Sequence, residues 1–302
     1  MRTKDSVKSL TIQLSGGLGN QLFEYVAGLL LAHQRGWDLN VDVSQLSNHA
    51  ISHGNSLEDL CLTGNFVNVK KQPVYKYFLH RLAVFLQRKF PGACVSIPFV
   101  NRYYSSQEIG FDEGVQNWPR ANFIRGYFQS WRYLNEVRAR GISFEPRLAL
   151  ESDWFRNNIT NLREMNPVVL HIRRGDYLLQ GDDWGVLELG YYKNALSEIG
   201  FDNDDPVWIF SDDPIAARQV LSPLALKKAH YVSPPDDSPA VESMLLMASA
   251  RKIVIANSTF SWWSASLGDM NNKVVVAPER WFRNKPDPRD LIPDSWLRVG
   301  SF

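Results

Sequence analysis

From residue 168 to residue 277, short apolar runs alternate with helix-length segments, and this pattern leaves few folds open. Strands are expected at 168–172, 207–211, 230–232, 253–256 and 273–277, and helices at 191–199, 214–221, 239–250 and 260–267. Strands joined through single helices by short connections pair in parallel, because each helix carries the chain back to the edge where the strand began. This half therefore reads as a Rossmann-like domain. In such a sheet, ligands bind outside the carboxyl ends of the strands.

The chain opens in a similar way. Leu10 to Leu14 alternates as a strand, Gly16-Gly17-Leu18-Gly19 forms a tight turn, and Leu22 to Arg35 reads as a helix stopped by Gly36. Leu39 to Val43 follows as a second strand. Two α/β domains are expected, residues 1–150 and 151–302, with the active site in a cleft between them. Segment 44–120 is less regular. Within it Val74, Phe78, Leu82 and Phe85 share one helical face, and 70–90 carries Lys70, Lys71, Lys76, Arg81, Arg88 and Lys89 with no acidic residue. Two readings stand: an ordinary surface helix, or a basic amphipathic helix lying on an anionic membrane surface.

Three strand ends carry polar side chains suited to a phosphorylated ligand. His171-Ile172-Arg173-Arg174-Gly175-Asp176-Tyr177 follows the run Pro167-Val168-Val169-Leu170. A planar guanidinium offers a fixed fork of donors that matches phosphate. The competing reading makes one or both arginines structural ion pairs, with Asp176 as a candidate partner. Ser211, Asp212 and Asp213 follow the next strand. An Asp there could hold a ribose or a guanine edge, or simply cap the helix that Pro214 opens. Asn257, Ser258, Thr259 and Phe260 follow a third strand at a helix start, which suits an anion; plain N-capping by Ser258 and Thr259 can hold at the same time. His171 lies inside its strand run and could be a buried structural residue.

Composition narrows the classes. Lys+Arg is 33 against Asp+Glu 32, a net charge of +1, which argues against a nucleic-acid binder. Cys61 and Cys94 stand apart, giving neither a disulfide framework nor a metal knuckle, and fit a reducing compartment. No signal sequence or bilayer-length apolar run is read, so a cytoplasmic protein is expected, at most peripheral on a membrane. Asp202-Asn203-Asp204 resembles a metal-binding Asp-x-Asp, but it sits in a polar turn where such residues are common, and no metal is expected. The turn at 16–21 lacks both the dinucleotide fingerprint and the P-loop Lys. Its glycines allow close approach to a ligand, with Asn20 beside them. Glu24, one turn into the following helix, could face the cleft or pack elsewhere.

Five motifs occur in order: Gly-Gly-Leu-Gly-Asn-Gln at 16–21, Gly126-Tyr127-Phe128-Gln129-Ser130, the His-Ile-Arg-Arg-Gly-Asp-Tyr segment, Phe-Ser-Asp-Asp at 210–213 and Asn-Ser-Thr-Phe-Ser-Trp-Trp at 257–263. Together they resemble the α-1,2-fucosyltransferases of glycosyltransferase family eleven. The resemblance implies a GT-B-like fold of two Rossmann-like domains, the C-terminal one binding the nucleotide sugar. It implies inverting transfer of fucose from GDP-β-L-fucose to the 2-hydroxyl of a galactoside, without an essential metal or cofactor. Arg173 would contact the donor diphosphate. Asp212 or Asp213, with Ser258, Thr259 and Phe260, would help bind GDP, and Asn20 would lie at the cleft. Gly17, Gly19, His171, Ser211 and Asn257 belong to the same donor-side motifs. Asp176 and Glu24 are the candidates for general base. Animal members carry an N-terminal anchor that is not read here, so a bacterial enzyme of surface-glycan synthesis is expected, acting on a galactose-containing oligosaccharide or lipid-linked glycan. Two other classes stand beside it: an NAD-dependent nucleotide-sugar enzyme, and a glycan-binding module using some of the 10 tryptophans.

Overall fold

The computed structural model describes residues 8–46, 55–68, 75, 78, 82, 85, 102–117, 119–175 and 184–302. The chain packs as two compact units, residues 1–147 with 288–291, and residues 148–287 with 292–302. Nothing in the sequence pattern announces the return of 288–291 to the first unit. It is fixed by backbone bonds, Trp131 N–H to Asp290 O at 2.9 Å and Phe111 N–H to Arg289 O at 3.4 Å, and by the Arg132–Asp290 ion pair at 3.3 Å.

The first unit holds a parallel sheet of β1 (Ser9–Gln13), β2 (Asp38–Asp42), β3 (Asn65–Val67), β4 (Tyr103–Ser105) and β5 (Phe123–Arg125), ordered β3-β2-β1-β5-β4. From β1 the chain moves outward to β2 and β3, then returns to the other side of β1. The carboxyl ends of β1 and β5 therefore flank the point where the winding reverses. Helix α1 (Leu18–Arg35) lies close on β1: a Cβ at Gly28 would sit 2.8 Å from the Ile12 side chain. It ends at Gly36, whose φ of 62° suits glycine at a helix C-terminus. Helix α2 (Trp131–Ala139) follows β5 and is capped by Ser130, whose oxygen accepts from Arg132 N–H.

The second unit begins with helix α3 (Asp153–Met165), then β6 (Val168–Ile172), α4 (Leu189–Glu198), β7 (Val207–Ser211), α5 (Pro214–Leu221), β8 (Ala229–Tyr231), α6 (Ala240–Ala248), β9 (Lys252–Val254), α7 (Thr259–Ser266), β10 (Val274–Pro278) and β11 (Leu297–Val299). All strand pairs are parallel, in the order β11-β10-β9-β6-β7-β8. Every residue of β6 is buried, as a central strand covered on both faces requires. The winding reverses between β6 and β9. The expected α/β class and the alternating order of this half both stand.

Candidate active site

The three polar loops of the second unit leave β9, β6 and β7, which are neighbours at the centre of the sheet. His171 is the last residue but one of β6 on one side of the reversal point, and Phe260 lies in the first turn of α7 on the other. Their ring centroids lie 5.6 Å apart. Both residues therefore sit at the carboxyl edge of the sheet beside its reversal point, the place where such sheets bind nucleotides.

The two arginines after β6 have different surroundings. Arg174 is buried: its guanidinium grips Glu188 with two bonds, 3.1 and 3.2 Å, and donates to Leu187 O at 3.0 Å. It ties the strand end to the start of α4. The Arg173 side chain keeps 21% of its surface exposed and pairs through Nε with Asp212 Oδ2 at 3.2 Å. Asp212 Oδ1 accepts the backbone N–H of Arg174 at 2.9 Å. One carboxylate therefore fixes the loop backbone and orients Arg173. The structural reading is correct for Arg174, with Glu188 as the partner. Asp176 lies outside the described residues.

His171 is 4% exposed. Burial, with a smaller contribution from the Arg173 charge, holds its pKa at about 3, so the ring is neutral. A histidine in the unfolded chain takes up its proton near pH 6.5. Between those values the unfolded state binds more protons, so stability is present above pH 6.5 and is lost as pH falls towards 3. Urea unfolding below pH 6 should show a loss of about 1 kcal/mol per pH unit that His171→Phe removes. Equal pH slopes in the two proteins would mean the ring titrates normally.

Several candidates serve the walls of the site. Asp213 caps α5, accepting from Ala216 N–H at 2.9 Å, so of the two aspartates only Asp212 faces the arginine loop. Ser211 Oγ accepts from Asp213 N–H and donates to Asp213 O, both at 3.1 Å. Asn257 is buried, and its amide donates towards the carbonyls of Trp184, Gly185 and Trp281, pinning two loops. These residues hold the loops in place through bonds to the backbone. Ser258 stands at the N-cap of α7 but makes no side-chain cap bond, contrary to the capping reading, and the first turn of α7 holds no acidic residue. The start of α7 is suited to a negatively charged ligand.

The glycine-rich turn belongs to the first unit. Gly17 is the N-cap of α1 without a side-chain bond, and again the first turn has no acidic residue. Gly16 has φ of 69°, and a Cβ there would sit 2.7 Å from Asn20 Nδ2. Gly19 is buried at the start of α1. Glu24 holds the turn from beneath: its carboxylate accepts from Ser15 N–H at 2.7 Å and Ser15 Oγ–H at 2.5 Å. Burial raises its pKa well above the ordinary range, against the lowering effect of the Ser15 bonds and Arg125. With 1% exposure and both oxygens occupied, Glu24 is an anchor of the turn rather than a base open to substrate. Gln129 Nε2 donates to Asn20 Oδ1 at 3.1 Å, joining the motif after β5 to the turn after β1. Its only sequence signal was membership of a motif, because 109 residues separate the partners.

The polar turn before β7 is explained locally. Asp202 Oδ1 accepts Asp204 N–H at 3.1 Å, and Asp204 pairs with Lys227 at 3.0 Å. Among the described residues there is no group of three or more His, Cys, Asp or Glu placed to hold a metal ion.

Residues 115–290 match the model of glycosyl transferase family 11, a span that contains β5, the arginine loop, Asp212 and the start of α7. The chain belongs to glycosyl transferase family 11. With membership shown, the nicotinamide-enzyme reading falls. Among the relatives of this family 11 chain is an alpha-1,2-colitosyltransferase of Escherichia coli, 29% identical and matched over 95% of this chain and 97% of that protein. Another is the O-antigen biosynthesis glycosyltransferase WbnK of Escherichia coli, 27% identical over 95% of this chain and 99% of that one. Arabidopsis thaliana FUT1, solved as a mutant in complex with GDP, aligns with a TM-score of 0.51 at 12% identity, covering 98% of this chain and 77% of that one. That likeness concerns the fold alone, and it agrees with two Rossmann-like α/β units. Among the described residues no helix is long and apolar enough to cross a membrane.

Proposed function

We propose that this family 11 glycosyltransferase moves L-fucose from GDP-β-L-fucose to the 2-hydroxyl of a galactoside in a surface glycan, with inversion and without a divalent metal. The observation that carries the reading is Arg173, oriented by Asp212 at the reversal point between β6 and β9, beside a helix start that has no acidic residue. As the bond to the anomeric carbon breaks, negative charge grows on the β-phosphate of the leaving GDP. A guanidinium aimed at that oxygen stabilises the transition state more than the bound ground state, which is what raises the rate. The α7 N–H groups would take the other phosphate oxygens. The acceptor hydroxyl attacks from the opposite face of the sugar, and its proton leaves to Asp176 or to water.

Colitose is the second donor sugar to consider, since a relative covering nearly the whole chain is an alpha-1,2-colitosyltransferase. It lacks the 3-hydroxyl of fucose, so the two donors share GDP, the leaving group and the chemistry. The test is incubation with GDP-fucose or GDP-colitose and galactose-terminated oligosaccharides, with the product linkage read by NMR. The expected product carries α-1,2-linked fucose, and EDTA leaves the rate unchanged. Productive transfer from GDP-colitose alone would establish the second donor. Transfer from neither would overturn both readings.

A further inference from the structure

Residues 75, 78, 82 and 85 are helical, and spacings of three and four place them on one face. An ordinary amphipathic surface helix turns such a stripe to the core. Here Tyr75 is 61% exposed, Phe78 67% and Leu82 44%, with Phe85 also exposed at 54%. Large apolar side chains gathered on one exposed face mark a contact surface. We propose that this face docks the enzyme on an anionic lipid bilayer.

Charge selects the occupant. Segment 70–90 contains Lys70, Lys71, Lys76, Arg81, Arg88 and Lys89 and no Asp or Glu. The whole chain has a net charge of only +1, so without this segment it would be acidic. The basic charge is therefore local and flanks the exposed apolar residues. A second copy of the same segment would bring like charges together. An anionic headgroup layer instead attracts the cations while its acyl boundary takes up the aromatic and aliphatic side chains. Docking would hold the enzyme next to acceptors carried on a membrane without contributing to the bond-forming step. This inference is independent of the sugar transferred.

The test is co-sedimentation of the full chain with vesicles of phosphatidylcholine alone or mixed with phosphatidylglycerol. Binding is expected to the mixed vesicles only, and high salt should release it. Each Lys or Arg near such a surface is worth about fivefold in partitioning, so Lys76→Gln with Arg81→Gln should weaken binding about 25-fold. Phe78→Ser with Leu82→Ser should abolish it, while leaving the melting temperature and turnover on a water-soluble acceptor as in wild type. Equal binding to neutral and mixed vesicles, or wild-type binding by the Phe78/Leu82 variant, would overturn the proposal. So would self-association in the absence of lipid that Phe78→Ser disrupts, because the face would then be an interface between copies.

Discussion

Replacing Arg173 by lysine is expected to lower the rate of transfer by about 10²–10³-fold, with the melting temperature unchanged. Lysine keeps the charge, so the loss would come from geometry. An ammonium is a compact charge without the planar fork that can pair with Asp212 and grip a phosphate together. Arg173 is partly exposed, so folding should survive the change. The neighbouring arginine provides the control. Arg174→Met removes the two bonds to Glu188 and the bond to Leu187 O from a buried position. It should cost about 1–3 kcal/mol of stability, while transfer per folded molecule is retained. If Arg173→Lys turned over like wild type, the phosphate role of this residue would be lost.

The second large effect is expected at Asp212. Asp212→Asn keeps the shape and can still accept the Arg174 N–H, but its amide nitrogen would face Arg173 Nε, donor against donor. The guanidinium would then leave its position, and displacement of a catalytic group by about 1 Å can cost on the order of 10²-fold. The fall should appear in kcat for transfer, with a smaller change in KM for the acceptor. Gly175 tests the same contact from the other side. A Cβ there would lie 2.7 Å from Asp212 Oδ2, so Gly175→Ala should push the carboxylate aside with every charge still present. Wild-type kcat in both variants would make the Arg173–Asp212 pair incidental.

The second unit was readable in the sequence because its strands are short apolar runs separated by helix-length segments. The expected strand at 168–172 and helix at 214–221 match β6 and α5 residue for residue. Parallel pairing then dictated that the loops after β6, β7 and β9 would converge. Other elements had no comparable signal. β3, β4, β5 and β11 are three residues each and lie outside the regular alternation of 168–277, so no neighbouring pattern marks them, and they are held by their neighbours in the sheet. The helix Asp153–Met165 buries only Phe155 and Leu162, so its apolar stripe is thin.

Within the site, residue type was readable but partner choice was not. Arg173 and Arg174 are adjacent and chemically alike, and opposite side-chain directions along the chain decide which is buried. The partner of Arg174 is Glu188, fourteen residues away, and that of Arg173 is Asp212. Glu24 looked like a possible base because a carboxylate one turn into a helix can face either way. Its two bonds to Ser15 place it under the turn. Asn257 looked like a ligand contact, yet its amide serves three backbone carbonyls.

The central claim is that Arg173 binds the phosphate from which the sugar departs. Calorimetric titration of wild type and Arg173→Lys with GDP and with GMP, which lacks the β-phosphate, addresses it without an acceptor. Wild type should bind GDP much more tightly than GMP, and Arg173→Lys should close most of that gap while leaving GMP affinity as it was. Equal affinity of wild type for the two nucleotides, or a gap that Arg173→Lys leaves intact, would contradict the claim.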